Sequence, residues 1–264
     1  MRGFHIKGVL IPYYGFMISI SFAVVVIVGH ILTKKFKLNN DNFFLLLSYC
    51  MLGAFVGAKV LYLFVSFPKI EWNRIGEFQY LIYFFNSGFV FYGGVIGAGL
   101  GAILAAKLHS IPVYEYTNLY IPILPFAHAL GRVGCHLASC CYGVPYDGIG
   151  HIIYHAPAVA PVGVSLFPVQ LVEAGLNIIL GLFLLHYVLK KRNNLALLLY
   201  GGAYGILRFI LEYWRYDISE RGSYYFFSVS QWISIGIVLL SVGTYFFLRK
   251  SNLVKVYSHE STDN

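Results

Sequence analysis

The chain has 264 residues, 58% of them hydrophobic and only 11% charged, with a formal net charge of +8 and a mean hydropathy of +0.70. A soluble domain carries about 25% charged residues, and a disordered chain would lack the 22 Phe and 22 Tyr found here. Four cysteines are too few for a secreted disulfide scaffold, so the composition points to a polytopic membrane protein.

A membrane-spanning helix needs about 20 mostly apolar residues. Six segments qualify, at roughly 10–32, 43–67, 89–106, 168–189, 194–212 and 226–248. A seventh, at roughly 116–131, contains Pro122 and Pro125 and is expected to be bent or short. The expectation is an all-α polytopic membrane protein of about seven transmembrane helices, in one integral-membrane domain over residues 1–264. No hydrophilic stretch is long enough for a separate soluble domain, and no repeat divides the chain into halves. The first span lacks a small-residue cleavage site and reads as a retained helix.

Orientation follows from Lys and Arg in alternate loops. One side holds ten: Lys34, Lys35, Lys37, Lys107, Lys190, Lys191, Arg192, Arg249, Lys250 and Lys255. The other holds eight: Arg2, Lys7, Lys69, Arg74, Arg132, Arg208, Arg215 and Arg221. The first set clusters in short loops, which places it in the cytoplasm, with the N-terminus outside and the C-terminus inside. Anionic lipid headgroups account for the positive balance, and no nucleic-acid partner is needed. The polar tail from roughly residue 251, including Ser258-His259-Glu260-Ser261, is expected to be loose and is assigned no function.

Ionisable residues beside apolar sequence are the first functional candidates, because Arg at the bilayer centre costs at least roughly 2.5–3.5 kcal/mol. Lys59, Arg132, Glu173, Arg208, Glu212 and Arg215 fall near the outer ends of spans. Snorkelling to the interface explains Lys59 or Arg215 equally well. Arg208 and Glu212 are four apart, share a helix face and suit a buried pair. Glycine is the second signal. Gly53 with Gly57, the run Gly93, Gly97 and Gly101, and Gly201 with Gly205 repeat every four residues, a spacing that lets helices approach closely. In Tyr92-Gly93-Gly94 the glycine pair opens a span after the polar Asn86-Ser87-Gly88, where backbone N–H groups at a helix start favour an anion.

The densest segment runs from Gly131 to Gly143 and holds Arg132, Gly134, Cys135, His136, Cys140 and Cys141. It is expected to follow a span and face outward. Four readings of its cysteines stand open: a Cys/His metal site, a disulfide from Cys135 to Cys140 or Cys141, a reactive thiolate beside Arg132, and plain packing. The spacing fits no familiar zinc pattern, so no metal is expected, nor any other cofactor. Cys50, alone in the second span, reads as core. His128 and His136 flank the glycine-arginine motif as candidate general bases, whereas His151 and His155 fall in a loop.

Together these motifs resemble the prolipoprotein diacylglyceryl transferase family. Gly131-Arg132-Val133-Gly134, with its tail ending at Gly143, is similar to the family signature. The segment Asn86–Gly97 is similar to its glycine-rich third-span start, and Gly57-Ala58-Lys59 stands at its glycine-alanine-arginine position. Phe167-Pro168-Val169-Gln170-Leu171-Val172-Glu173 is similar to its proline-glutamine element, and Tyr204–Arg215 to its late arginine-glutamate-arginine element. Ser230-Gln231 is similar to its closing serine-glutamine. Each piece is weak alone, but six in the right order over nearly the whole chain are specific.

The resemblance implies a multi-pass enzyme of the bacterial cytoplasmic (inner) membrane. It would move a diacylglyceryl group from phosphatidylglycerol to the thiol of a lipobox cysteine in a prolipoprotein signal segment, with glycerol phosphate leaving. Arg132 and Arg208 would meet the phosphate, with Gly93 and Gly94 assisting, and Glu212 would orient Arg208 or the acceptor. Gly131, Gly134, Gly143, Lys59, Gln170, Glu173 and Arg215 would line the substrate site. The sequence departs from the family pattern at Tyr92, Cys135, Cys140 and Phe167, where the family has histidine, asparagine, glutamate and histidine, and at Lys59, where it has arginine. Catalytic duty as proton acceptor then falls to Tyr92, His128 or His136. A different acceptor, or a thiol-redox or lipid-binding role for Cys135, Cys140 and Cys141, is the alternative.

Overall fold

The computed structural model describes residues 3–86, 88–191, 193–216 and 223–251. Ser87, the loop charges Arg2, Arg192, Arg221 and Lys255, and the tail Ser258-His259-Glu260-Ser261 lie outside the described residues. The chain forms two compact units, one of residues 1–32 with 117–264 and one of residues 33–116.

The first unit opens with a hairpin, β1 (Gly3–Ile6) and β2 (Val9–Pro12), paired from Gly3↔Pro12 to Ile6↔Val9. Lys7 and Gly8 both take positive φ, 48° and 82°, as a two-residue turn matched to strand twist requires. Helix α1 (Tyr13–Lys35) begins at once and passes out of this unit near its end.

The second unit is built on two long helices, α2 (Asn40–Ser66) and α4 (Phe91–His109). Asn39 caps α2 through its side-chain oxygen, which accepts from Asp41 N at 2.7 Å and Asn42 N at 3.3 Å. The glycine spacing sets how the helices meet. A Cβ on Gly97 would lie 2.0 Å from Gly53 O, one on Gly57 2.3 Å from Gly93 O, and one on Gly101 2.2 Å from Tyr49 O. Residue 49 therefore faces 101, 53 faces 97 and 57 faces 93, an antiparallel pair at backbone contact. Between them lie two short 3-10 turns, Phe67–Lys69 and Trp72–Arg74, and helix α3 (Phe78–Asn86). Arg74 bridges Glu71 and Glu77 at 3.2 and 3.1 Å, on an exposed surface where such pairs contribute little. Helix α5 (Val113–Tyr120) leads back to the first unit.

The predicted seventh span divides into α5 and α6 (Ile123–Leu137). The break falls at Ile121-Pro122, and Pro125 sits in the first turn of α6, where its missing N–H is not needed. One expectation is corrected here. Gly131 to Leu137 do not follow the span as a loop but form its last two turns. Gly134 is a close contact, since a Cβ there would lie 3.0 Å from Met17 Cβ on α1.

Helices α7 (Val169–Lys191), α8 (Ala196–Leu211) and α9 (Val229–Lys250) complete the first unit. Helix α6 packs on α7, α7 on α8, and α8 on α9. Gly181 admits the Phe126 ring, while Gly201 and Gly205 admit Ser241 and Val238. The loop between α6 and α7 carries a small pairing of β3 (Ile152–Ile153) with β4 (Ser165–Leu166) around buried Tyr154, Ala160 and Leu166. A last hairpin, β5 (Ser223–Tyr224) with β6 (Phe227–Ser228), precedes α9.

Among the described residues, five helices are long and apolar enough to cross a membrane: α1, α2, α4, α7 and α9. Their outward faces show Leu52, Phe55, Phe64, Ile96, Leu100, Ile179, Leu239, Leu240 and Phe246. Apolar exposure on this scale requires lipid rather than water, and the chain is a multi-pass membrane protein.

Candidate active site

The first unit gathers its polar side chains where hydrocarbon predominates. Glu173 on α7 is 1% exposed and receives Arg132 Nη2 of α6 at 3.0 Å. His128, one turn earlier on α6, brings Nε2 to 3.6 Å from the same carboxylate oxygen, and Tyr204 of α8 donates its hydroxyl to it at 3.4 Å. The His128 and Tyr204 rings lie 5.0 Å apart. Below Glu173 the helix contributes Asn177, fully buried, whose amide donates to the Glu173 carbonyl at 2.8 Å.

A second carboxylate, Glu212, sits where α8 runs into a 3-10 turn, Glu212–Trp214. It pairs with Arg208 Nη2 through one oxygen and accepts from Ser228 Oγ at 2.9 Å through the other. Ser228 also caps α9 in a reciprocal box with Gln231, at 3.2 Å and 3.0 Å. Arg208 reaches Ser230 at 3.4 Å. Arg208 lies within electrostatic reach of Arg132, Arg215, Glu173 and Glu212, and Arg132 of Glu173. Arg132 Nε and Arg208 Nη1 are buried with no hydrogen-bond partner among the described residues.

Arg215 is 2% exposed, and its backbone pairs with Gly143. Val144 N donates to Trp214 O at 3.1 Å, Tyr216 N to Tyr142 O at 3.2 Å, and Phe167 N to Val144 O at 2.9 Å. A Cβ on Gly143 would lie 2.3 Å from Phe167 O and 3.0 Å from Trp214 O, so only glycine lets the three segments meet. Gln170, 1% exposed, ties the loop to α7: its amide donates to Cys140 O at 2.9 Å and Tyr154 Oη at 3.2 Å. His136 Nδ1 lies 3.0 Å from the same tyrosine oxygen.

Helix α6 ends in a reciprocal turn. Ser139 N donates to His136 O and Cys140 N to Cys135 O, both at 3.0 Å, with Ser139 left-handed at φ 54°. Ser139 Oγ accepts from Val159 N at 2.9 Å, and Ala160 N donates to Ser139 O at 3.0 Å, which holds that conformation without a glycine. None of the four cysteines is joined in a disulfide in this structure. The Sγ atoms of Cys135, Cys140 and Cys141 lie within 4.8 Å of one another. The Cys140 thiol donates to Cys135 O at 3.6 Å, and the neighbouring Cys135 and Cys140 thiols, with Arg215 and Arg132, hold the Cys141 thiol below the usual range.

The family's sequence model, described as prolipoprotein diacylglyceryl transferase, matches residues 2–247. The chain belongs to the prolipoprotein diacylglyceryl transferase family. Among relatives, the phosphatidylglycerol–prolipoprotein diacylglyceryl transferase 2 of Clostridium perfringens is 35% identical over 236 residues, 89% of this chain and 90% of the relative. The enzyme of Clostridium tetani bearing that name is 32% identical over 241 residues, 90% and 94% of the two chains. That of Chlorobaculum tepidum is 29% identical over 254 residues, 91% and 86%. The chain is therefore a transferase of lipoprotein biosynthesis.

The diacylglyceryl transferase motifs of the sequence fall in both units. Gly131, Arg132, Gly134, Cys135, His136, Cys140, Cys141, Gly143, Gln170, Glu173, Arg208, Glu212 and Arg215 belong to the first. Lys59, Tyr92, Gly93 and Gly94 belong to the second, where Lys59 Nζ lies 4.8 Å from the Tyr62 ring centroid and 5.2 Å from that of Phe89. Tyr92 is half-buried at the start of α4. Of the pair, Gly94 N donates to Val90 O at 3.2 Å and is not open to an anion, and Gly93 is the point where α4 touches Gly57. Sequence reasoning missed Tyr204, Ser228, Tyr154 and Asn177. Tyr204 stands four residues before Arg208, and that spacing alone could have found it.

Proposed function

We propose that this enzyme transfers the diacylglyceryl group of phosphatidylglycerol to the thiol of a lipobox cysteine in a prolipoprotein signal segment. The thiol sulfur forms a bond to the glyceryl carbon, the carbon–oxygen bond to phosphate breaks, and glycerol phosphate leaves with the electron pair. The thiol proton goes to a basic group of the site. The observation that carries this reading is the pair of buried arginines, each anchored by a buried carboxylate and each keeping an unspent donor. A phosphodiester carries a single negative charge. As the bond to phosphate breaks, that charge grows to about two, and fixed guanidinium groups gain most at that moment.

Arg132 and Arg208 take the phosphate. Glu173 and Glu212 hold them in place, and Arg215, Gln170 and the glycines 131, 134 and 143 shape the surrounding wall. Lys59 and Tyr92 are the lipid-contacting elements of the second unit, and Gly93 and Gly94 set the start of α4 against α2. His136, held by Tyr154, or Tyr92 accepts the thiol proton, with His128 serving the carboxylate side.

In the membrane, the whole chain 1–264 acts as a single integral domain of about seven spans in the bacterial cytoplasmic membrane, with the N-terminus outside and the C-terminus in the cytoplasm. The shorter α6 and α8 supply the two spans beyond the five long helices. The test is donor selectivity. Purified enzyme given an acceptor peptide is expected to release glycerol phosphate from phosphatidylglycerol and nothing from a lipid lacking a phosphodiester. Equal peptide modification from both lipids would overturn the phosphate-centred reading.

A further inference from the structure

We propose that Cys135, Cys140 and Cys141 form a three-thiolate site for a thiophilic d10 metal ion. The reciprocal turn at the end of α6 builds it. That turn places the residue three from the helix end against the second residue beyond it, and here both are cysteine: Cys135 and Cys140, tied by the Cys140 N–Cys135 O bond of 3.0 Å. Cys141 then adopts φ 57°, also left-handed, and its sulfur joins the other two within 4.8 Å.

Metal–sulfur bonds of about 2.3 Å put ligand sulfurs about 3.8–4.0 Å apart, so the cluster needs to contract by about 1 Å at most. Three thiolates suit Cu(I) in trigonal geometry, or Zn(II) and Cd(II) with water as fourth ligand. On binding, three sulfur–metal bonds form, the ion sheds water, and the thiol protons pass to solvent. Three thiolates around a divalent ion leave one negative charge, and the Arg215 and Arg132 guanidiniums that act on Cys141 balance it. The Gln170 amide, donating to Cys140 O at 2.9 Å, holds the ligand loop from outside. A bound ion would clamp the end of the helix that carries Arg132.

The full chain, purified in detergent with reductant and stripped of metal, is titrated with Cd(II) and followed by its thiolate charge-transfer absorption. Zn(II) stoichiometry is measured by equilibrium dialysis, and Cu(I) by competition with a chromophoric chelator. One ion per chain is expected, with absorption corresponding to three thiolates. Cys135→Ser, Cys140→Ser and Cys141→Ser should each weaken binding by more than about 100-fold, while Cys50→Ser leaves it unchanged. Circular dichroism confirms that the serine variants remain folded. The Cu(I) and Zn(II) arms decide which ion is preferred. Absence of saturable binding of all three ions, or equal binding by the triad variants and wild type, would overturn the proposal.

Discussion

Exchanging Glu173 for glutamine removes a charge while keeping the shape of the side chain. Glu173 is 1% exposed and Arg132 is 13% exposed at the side chain, so the exchange strands a largely buried guanidinium. Breaking such a pair from one side costs about 3–5 kcal/mol. For a chain of this size that lowers Tm by roughly 6–20 °C. Arg132→Gln leaves the carboxylate with His128 and Tyr204 still beside it, and the double variant removes both charges. The double variant should therefore lose less than the sum of the singles, by about 1–3 kcal/mol. The assay is thermal unfolding in detergent, with and without phosphatidylglycerol. In Glu173→Gln the lipid phosphate supplies the missing anion, so the lipid should raise Tm more than in wild type. Additivity within about 0.5 kcal/mol, together with equal lipid shifts, would refute both the pairing and the phosphate role of Arg132.

Four further outcomes follow from the geometry. Arg208→Ala should lower transfer by about 10²–10³-fold, with Arg208→Lys intermediate, read as the initial rate of glycerol phosphate release. Ser228→Ala removes both the α9 cap and a hydroxyl on Glu212, and should cost about 1–3 kcal/mol in unfolding experiments. Gly97→Ala places a Cβ 2.0 Å from Gly53 O and should destabilise by about 1–3 kcal/mol, whereas Gly99→Ala meets nothing within 4 Å and should be neutral or stabilising. Gly143→Ala pushes on Phe167 O and Trp214 O and should lower activity more than stability, seen by comparing initial rates with Tm.

The parts of this molecule that were legible in its sequence are those with a local period. Apolar runs of the right length announced the long helices, because lipid solvates them evenly and little else shapes their composition. The four-residue glycine spacing announced the α2–α4 contact, since a missing side chain every turn has few other uses in a helix. Arg208 and Glu212 were visible for the same reason, lying one turn apart. The Arg132–Glu173 pair joins two helices and leaves no periodic trace; charge beside apolar sequence marked each residue singly, but nothing local marked them as partners. Tyr154 lies in an irregular loop, and its contacts to Gln170 and His136 depend on a path that no local pattern encodes. The end of α6 was placed near residue 131 because the apolar run thins out there, while the actual stop is Ser139, a residue rarely left-handed without help. The close approach of Cys135 to Cys140 or Cys141 was among the open readings of the sequence, but the turn that brings all three together follows from that stop and has no local pattern.

The central claim is that the two arginine–carboxylate pairs receive the phosphate of phosphatidylglycerol during transfer to a thiol. The most direct measurement is mass spectrometry of a lipobox cysteine peptide after incubation with purified enzyme and phosphatidylglycerol. A diacylglyceryl mass gain on the cysteine is predicted for wild type, with loss of the gain in folded Arg132→Ala and Arg208→Ala. An unmodified peptide in the presence of enzyme that still binds the lipid, or a full gain in both arginine variants, would contradict it.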